Sequence, residues 1–306
     1  MGYGEGVAVG VDAGGTNIKG VAITPDGREL ARRSTATPAD RERLVAAVAT
    51  TVSALEAEAG AASHVGLAAP GLAARDGRSI AWMQGRMEAV QGLDWTAALA
   101  RSSLVRVIND AHAALVAEAW LGAATGAADV VLLTLGTGVG GAVMVGGRLL
   151  EGHLGRAGHL GHLSLDVDGP PDICRTPGSL EDAVGDCTVA RRSGGRFDDT
   201  AALVAAAIAG DAEARAVWGR TVASLAAGIA SIVNAVDPEV VVLGGGIAKA
   251  GEALFEPLRR EMEKVEWRPL GGDGVPIVAA GLGDVAGAIG AARWAATASE
   301  RGDDAI

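Results

Sequence analysis

Cysteine is almost missing from this chain. Cys174 and Cys187 are the only two in 306 residues, which excludes a disulfide framework and points to a reducing, cytoplasmic setting. Aromatic residues supply only 3%, so the core must be assembled from Ala, Val, Leu and Ile, and with 49% of the chain hydrophobic there are enough of them. Basic side chains are outnumbered, 26 against 37 acidic ones, for a net charge of −11. That balance excludes the broad basic face a nucleic-acid partner demands. The opening MGYGEGVAVGVDAGG has no basic stretch followed by an apolar one, so no secretion signal is expected. Residues 130–147 carry no charge over 18 positions, but six glycines interrupt them, and paired strands explain the run better than a membrane span.

Glycine, in contrast, is plentiful at 46 residues, and it clusters. Alternating valines in VAVGVDAGGTNIKGVAI (7–23) lead into a glycine corner and out into a second β-rich run, the pattern of a hairpin. A helix over 40–58 follows, then a buried strand in SHVGLAAPG (63–71), which a Pro-Gly turn closes. Next come a helix near 95–101, a strand in LVRVIND (104–110) and a helix towards Leu121. The pattern then restarts. VVLLTLGTGVGGAVMVGGRLL (130–150) is again strand, glycine corner and strand, followed by helices over about 180–236, the strand VVVLGGG (240–246), and a further helix, strand and helix. Strands alternating with helices indicate an α/β class. A strand pair hinged on glycines heads each half, so a duplicated architecture with a cleft between the halves is expected.

The corners carry the first chemistry. In DAGGTNIKG (12–20), Gly14 and Gly15 let backbone N–H groups turn towards an anion, and Thr16, Asn17 and Lys19 add donors. Asp12 ends the strand where a hydrated Mg²⁺ would sit beside phosphates. The Walker pattern G-x-x-x-x-G-K-[ST] is absent. A plain hairpin turn uses the same glycines, but a second corner, TLGTGVGGA (134–142), suggests two jaws on one polyphosphate. A third cluster, VVLGGGIAKAG (241–251), opens a helix after a strand, as an adenosine-binding wall does.

Taken in order, these corners with GLAAPG, the Asn-Asp step before an Ala-rich helix, GRAGHLGH, GSLE and LGGG resemble the sugar kinases of the ROK family (repressors, open reading frames and kinases). The resemblance implies the two-domain actin-like ATPase, or ribonuclease H-like, fold with an interdomain cleft. A small α/β domain would span 1–112 plus 286–306, and a larger one 113–285. It also implies an ATP- and Mg²⁺-dependent kinase acting on a small-molecule sugar or polyol, and a homodimer is expected. Asp110 would be the catalytic base, since a sugar hydroxyl needs a proton acceptor and the rest of phosphoryl transfer is positioning and charge neutralisation. A helix N-cap is the competing role for that aspartate. Gly71, Asn109, His159, His162 and Glu181 would meet the sugar. Asp12, Gly14, Gly15, Thr16, Asn17, Lys19, Gly136, Thr137, Gly138, Gly244, Gly245 and Gly246 would meet the nucleotide, Asp12 holding Mg²⁺ through water.

Three of the five histidines lie in GHLGRAGHLGHL (152–163), which raises the question of a metal. The family binds a structural zinc with a histidine and three cysteines. Here His162 takes the histidine's place, but Asp172 and Ser179 stand where two of the cysteines belong, and only Cys174 remains. No structural zinc is expected; Pro170, Pro171 and Pro177 stiffen the loop instead. His159 replaces a family glutamate, giving one acceptor and one donor in place of two acceptors. Its ordinary pKa near ~6.5 makes acceptor binding pH-dependent in mild acid. His153 is expected to be exposed and His112 structural, while Gln84 and Arg86 are further candidates to reach the sugar. A regulator of this family would carry a helix-turn-helix, for which a first corner at Asp12 leaves no room. A non-catalytic sugar sensor is the other alternative, and the survival of Asp12, Gly14, Gly15, Thr16 and Asp110 weighs against it.

Overall fold

The computed structural model describes residues 6–85 and 87–298. In chain order the first part holds β1 (Val7–Ala13), β2 (Asn17–Ile23), β3 (Glu29–Ala36), α1 (Arg41–Ala59), β4 (Ala62–Ala69), β5 (Leu72–Ala73), β6 (Ile80–Trp82), α2 (Trp95–Ala98), β7 (Val105–Asn109) and α3 (Asp110–Leu121). Then follow β8 (Val130–Leu135), β9 (Val139–Val145), β10 (Arg148–Leu149), α4 (Leu180–Val184), α5 (Val189–Arg192), α6 (Thr200–Ile208) and α7 (Ala212–Val236). The last elements are β11 (Val240–Gly244), α8 (Glu252–Val265), β12 (Ile277–Ala279) and α9 (Ala286–Ala298). The α/β expectation holds, and every segment read from the sequence appears within a few residues of its expected place.

Contacts divide the chain into two compact units: residues 1–126 with 151–157 and 281–306, and residues 127–150 with 158–280. These boundaries differ from the expected 112/113 and 285/286. The reason lies in α3, which packs along α9 and therefore stays whole with the first unit. The segment 151–157 joins that unit too, tied by Arg75, which donates to the carbonyls of Gly152 and His153, and by His112, whose Nε2 donates to Ala157 O at 3.0 Å.

In the first unit a five-stranded sheet runs β3-β2-β1-β4-β7, antiparallel up to β1 and parallel from β1 through β4 to β7. Helix α1 starts at Asp40, whose side chain accepts from Arg43 N–H, and it buries Leu44, Val48, Val52 and Leu55 against the sheet. The other face takes α9 at close range. Gly10 and Gly66 pair across β1 and β4, and a Cβ on either would lie 1.9 Å from a carbonyl oxygen of α9, Ala288 O and Ala291 O respectively. Only bare backbone allows helix and sheet to meet that tightly.

The second unit repeats the plan. Its sheet runs β10-β9-β8-β11-β12, with β9 antiparallel to β8 and the parallel run β8, β11, β12. The uncharged run at 130–147 is thus a strand pair, as expected. Helix α7 packs against α4, α6 and α8, burying Val217, Trp218, Val222, Leu225 and Ile229.

A wholly buried carboxylate organises the first unit. Glu118, in α3, accepts from the N–H groups of Ala123 (2.8 Å), Gly281 (2.9 Å) and Leu282 (2.9 Å). Removing the acceptor leaves a buried site without its carboxylate and strands three partly buried donors. Glu118→Ala is expected to lower the unfolding free energy by about 3–5 kcal/mol. Glu118→Gln, which keeps one acceptor oxygen, should fall between, as urea titrations of both variants would show.

Candidate active site

Parallel strands of an α/β sheet gather their functional groups at their carboxyl ends. Asp12 is the last residue but one of β1 and Asp110 follows directly on β7, with β4 between them; Asp12 pairs with Ala68, and Ala68 with Ile108. Two strand spacings put the two backbones about 10 Å apart. Burial raises the pKa of both carboxyls. Asp12 is pushed up to about 7, by burial first and then by the charge of Asp110, against an opposing pull from Lys19. Its Oδ1 is buried with no protein partner among the described residues. The carboxyl thus offers an unclaimed oxygen, and a cation would repay its desolvation.

Asp110 does not cap its helix. Asn109 does, its Oδ1 accepting from the N–H groups of Ala111 (2.9 Å) and His112 (3.1 Å). The Nδ2 of Asn109 donates to Gly71 O at 3.0 Å, and Gly71 holds φ +105°, a left-handed conformation suited to glycine. Asn109 and Gly71, both expected at the sugar, therefore set the strand–helix junction. Asp110 is freed from capping. Its Oδ1 takes the neighbouring N–H of Ala111 at 2.8 Å, and burial lifts its pKa against the opposing pull of that bond, its own N–H and the Asn109 side chain.

At the first corner Gly14, Gly15, Thr16 and Asn17 are open to solvent or nearly so. Lys19, expected among the phosphate donors, is instead paired with Asp284, Nζ to Oδ2 at 3.2 Å. In the second unit Gly136 and Thr137 of the other corner line a cavity of about 730 Å³ together with Gly246, Ile247, Thr200 and Val204. The second corner and the third glycine cluster thus open on one space. Gly245 does different work: φ is +88° and its Cα lies against the Leu135 backbone, so its glycine serves packing. Sequence reasoning placed a helix here, within 180–236, but gave α6 no part in the site. Asp186 links it to the corner, donating from its N–H to Gly136 O (2.9 Å) and accepting Thr200 N–H on its side chain (2.7 Å). The signal was available in TAALVAAAI (200–208), apolar on all sides yet leaving Ile208 68% exposed.

The sugar-loop residues have partners within the protein that the sequence did not show. Both ring nitrogens of His162 are taken, Nδ1–H donating to Asp172 Oδ2 at 2.7 Å and Nε2 accepting from the Cys174 thiol at 3.4 Å. Glu181 Oε2 accepts Val139 N–H at 2.9 Å and lies over Gly138, so it braces the second corner. His159 is half-buried, and burial and then the neighbouring His162 hold its pKa below the ordinary value. The pH dependence expected of it therefore moves to the acid side of an ordinary imidazole. His153 is exposed and His112 buried, as read from the sequence. Gln84 is exposed, and Arg86 lies outside the described residues.

The donor atoms of His162, Asp172 and Cys174 come within 4.8 Å of one another. They do not fit a zinc as they stand. Ligand atoms around tetrahedral zinc lie roughly 3.3 Å apart or more, whereas the nitrogen and carboxylate here are hydrogen-bonded. Burial, then the charges of Asp172 and Glu181, push the Cys174 thiol up, while zinc takes a thiolate. The second oxygen of Asp172 accepts from Cys174 N–H (2.8 Å) and Thr176 N–H (2.9 Å), so the loop closes on a carboxylate.

A model of the ROK family matches residues 8–298. The glucokinase of Thermotoga maritima is 34% identical over 307 residues, covering 93% of this chain and 95% of that protein. A ROK hexokinase from Thermus thermophilus has a TM-score of 0.83 at 35% identity, covering 96% of this chain and 99% of that one. A ROK family glucokinase from Streptomyces griseus, in complex with glucose and AMPPNP, has a TM-score of 0.79 at 28% identity, covering 95% and 99%. These neighbours have the two-domain actin-like ATPase fold, and this chain shares it. Over almost its whole length, the chain belongs to the ROK family.

Proposed function

We propose that this protein is an ATP- and Mg²⁺-dependent sugar kinase, which moves the γ-phosphoryl group to the primary hydroxyl of a hexose or hexose-like acceptor. The carrying observation is Asp110. It is a buried carboxyl with a raised pKa, relieved of capping by Asn109, on the same strand edge as the orphaned oxygen of Asp12. In this reading Asp110 accepts the proton of the acceptor hydroxyl as the new O–P bond forms and the bond to the ADP oxygen breaks. Asp12 holds hydrated Mg²⁺ through water, and that ion neutralises charge on the phosphates. N–H groups of the first corner cradle phosphate oxygens. The cavity beside α6 receives the base.

The glucokinase and hexokinase relatives support the sugar as acceptor. His159 brings one donor and one acceptor to the acceptor loop, a pattern that selects among hexoses, amino sugars, polyols and cyclitols. Two free cysteines accord with a reducing cytoplasm, where the protein would act as a homodimer. The non-catalytic alternative is disfavoured, because both corners and Asp110 keep their chemistry.

Coupling ADP release to a panel of those acceptors tests the activity. With the best acceptor, Asp110→Asn should retain sugar and nucleotide binding but lose roughly a hundredfold or more in kcat. A near-normal kcat would exclude Asp110 as the base.

The pH dependence follows from the raised pKa of Asp12. Below about 7 this carboxyl carries a proton and no longer serves the cation. The value of kcat/KM for ATP should therefore fall on the acid side with a midpoint near 7, well above the ~4 of an ordinary aspartate. Folding runs the other way. The folded pKa exceeds the unfolded 3.8, so the stability from this group grows as pH falls from about 7 towards 4. A pH–rate profile with thermal unfolding at each pH separates the two effects.

The third expectation concerns metal. Elemental analysis of protein prepared without a His-tag should find far less than one zinc per chain. A stoichiometric zinc, lost together with stability on chelation, would restore His162 and Cys174 as ligands.

A further inference from the structure

The first phosphate corner is a loop of three residues, Gly14 to Thr16, between β1 and Asn17 at the start of β2, and its polar groups are sorted by sign. Its carbonyl oxygens are largely consumed within the protein. Gly14 O accepts from the Thr37 hydroxyl at 2.6 Å, Thr16 O from Thr37 N–H at 2.9 Å, and Asn17 O from Gly14 N–H at 3.2 Å. Among the described residues, no protein group accepts from the N–H of Gly15 or Thr16. The corner therefore turns donors outward and acceptors inward. That is the condition for binding an anion, because a carbonyl oxygen swung to the outer side would face the phosphates with its negative end.

Thr37 supplies two of those three contacts, one from its side chain and one from its backbone. It lies just beyond β3, distant from the corner in sequence, and is half-buried. Pro38 follows it, which holds Thr37 in extended backbone, and β-branching restricts its χ1. Gly15 completes the picture from the ligand side. Its φ is not in the left-handed region, and a Cβ there would meet nothing within 4 Å, so neither the fold nor packing demands glycine. The open space is left to whatever the donors bind.

We infer that Thr37 is a positioning residue for the phosphoryl donor: it ties back the carbonyls of Gly14 and Thr16 so that the first corner presents only N–H groups to the phosphates. This rests on the kinase reading above and adds a residue outside the glycine motif. The hydroxyl is the testable half, since its loss frees Gly14 O while Thr37 N–H still holds Thr16 O.

Thr37→Val keeps the shape and β-branching and removes the hydroxyl. Its KM for ATP should rise roughly 5- to 30-fold, the scale of one unsatisfied buried hydrogen bond. The acceptor KM should remain within twofold, and Thr37→Ser should restore the KM for ATP. Titration with inorganic triphosphate, which has no nucleoside, should show the same weakening in Thr37→Val, whether or not a productive acceptor is known. If Thr37→Val fails to fold, Thr37→Ala with its serine counterpart carries the same comparison. A Val variant matching wild type in both KM for ATP and triphosphate affinity overturns the inference, as does a Ser variant no better than Val or an equal rise in acceptor KM. Wild type that transfers nothing from ATP, yet binds triphosphate in a Thr37-dependent way, overturns the kinase reading and leaves the role of Thr37 standing.

Discussion

Backbone-to-backbone contact between α9 and the strands beneath it governs the chemistry of the first unit. With glycine at 10 and 66, the helix settles onto β1 and β4 until its carbonyls occupy the space of missing side chains. The same approach brings Gly287, in the first turn of α9, against the carboxylate of Asp12; a Cβ there would lie 2.6 Å from Oδ2. Asp12 is thereby stripped of water and its pKa rises. A packing constraint made of small residues thus becomes an electrostatic one, and the reactive edge inherits it. Side chains at 10, 66 or 287 would lift the helix and return Asp12 to solvent.

Secondary structure and the main motifs were legible because they depend on local chemistry. Periodicity marks strands and helices, and a glycine corner between two β-rich runs announces itself wherever it occurs. The position of Asp110 at a strand–helix junction was legible as well, although its freedom from capping follows from Asn109. What the sequence left unseen shares a cause. Lys19, His162, Glu181 and Asn109 have the right residue types for binding, but each finds a partner within the protein, and sequence gives a residue type without its hydrogen bonds. The Lys19 partner, Asp284, is far along the chain. Glu118 went unnoticed for the complementary reason: a glutamate in the middle of a helix reads as a solvated face, yet it is fully buried and holds three N–H groups.

The loop after the second corner shows what replaces a lost ligand set. Asp172 takes over by accepting from His162, Cys174 and Thr176, with only 1% of its side chain exposed. Hydrogen bonds to a buried carboxylate are directional and several act together, so the loop can be ordered without an ion at its centre. Sequence showed the substitution of the cysteines. It did not show that the substituted aspartate would become the hub.

The placement of α9 also bears on how the protein is made. Strands β1 and β4 leave the ribosome early, with glycines where the helix must land, while the helix that covers them comes after the whole second unit has been synthesised. During that interval the second unit can fold on its own contiguous elements, but one face of the first sheet stays bare. Native pairing of α9 with that face closes a very long loop, which is slow, and an uncovered apolar sheet is prone to aggregate in the meantime. The nascent chain therefore has a vulnerable period that ends only when α9 docks, and removing α9 would make that period permanent.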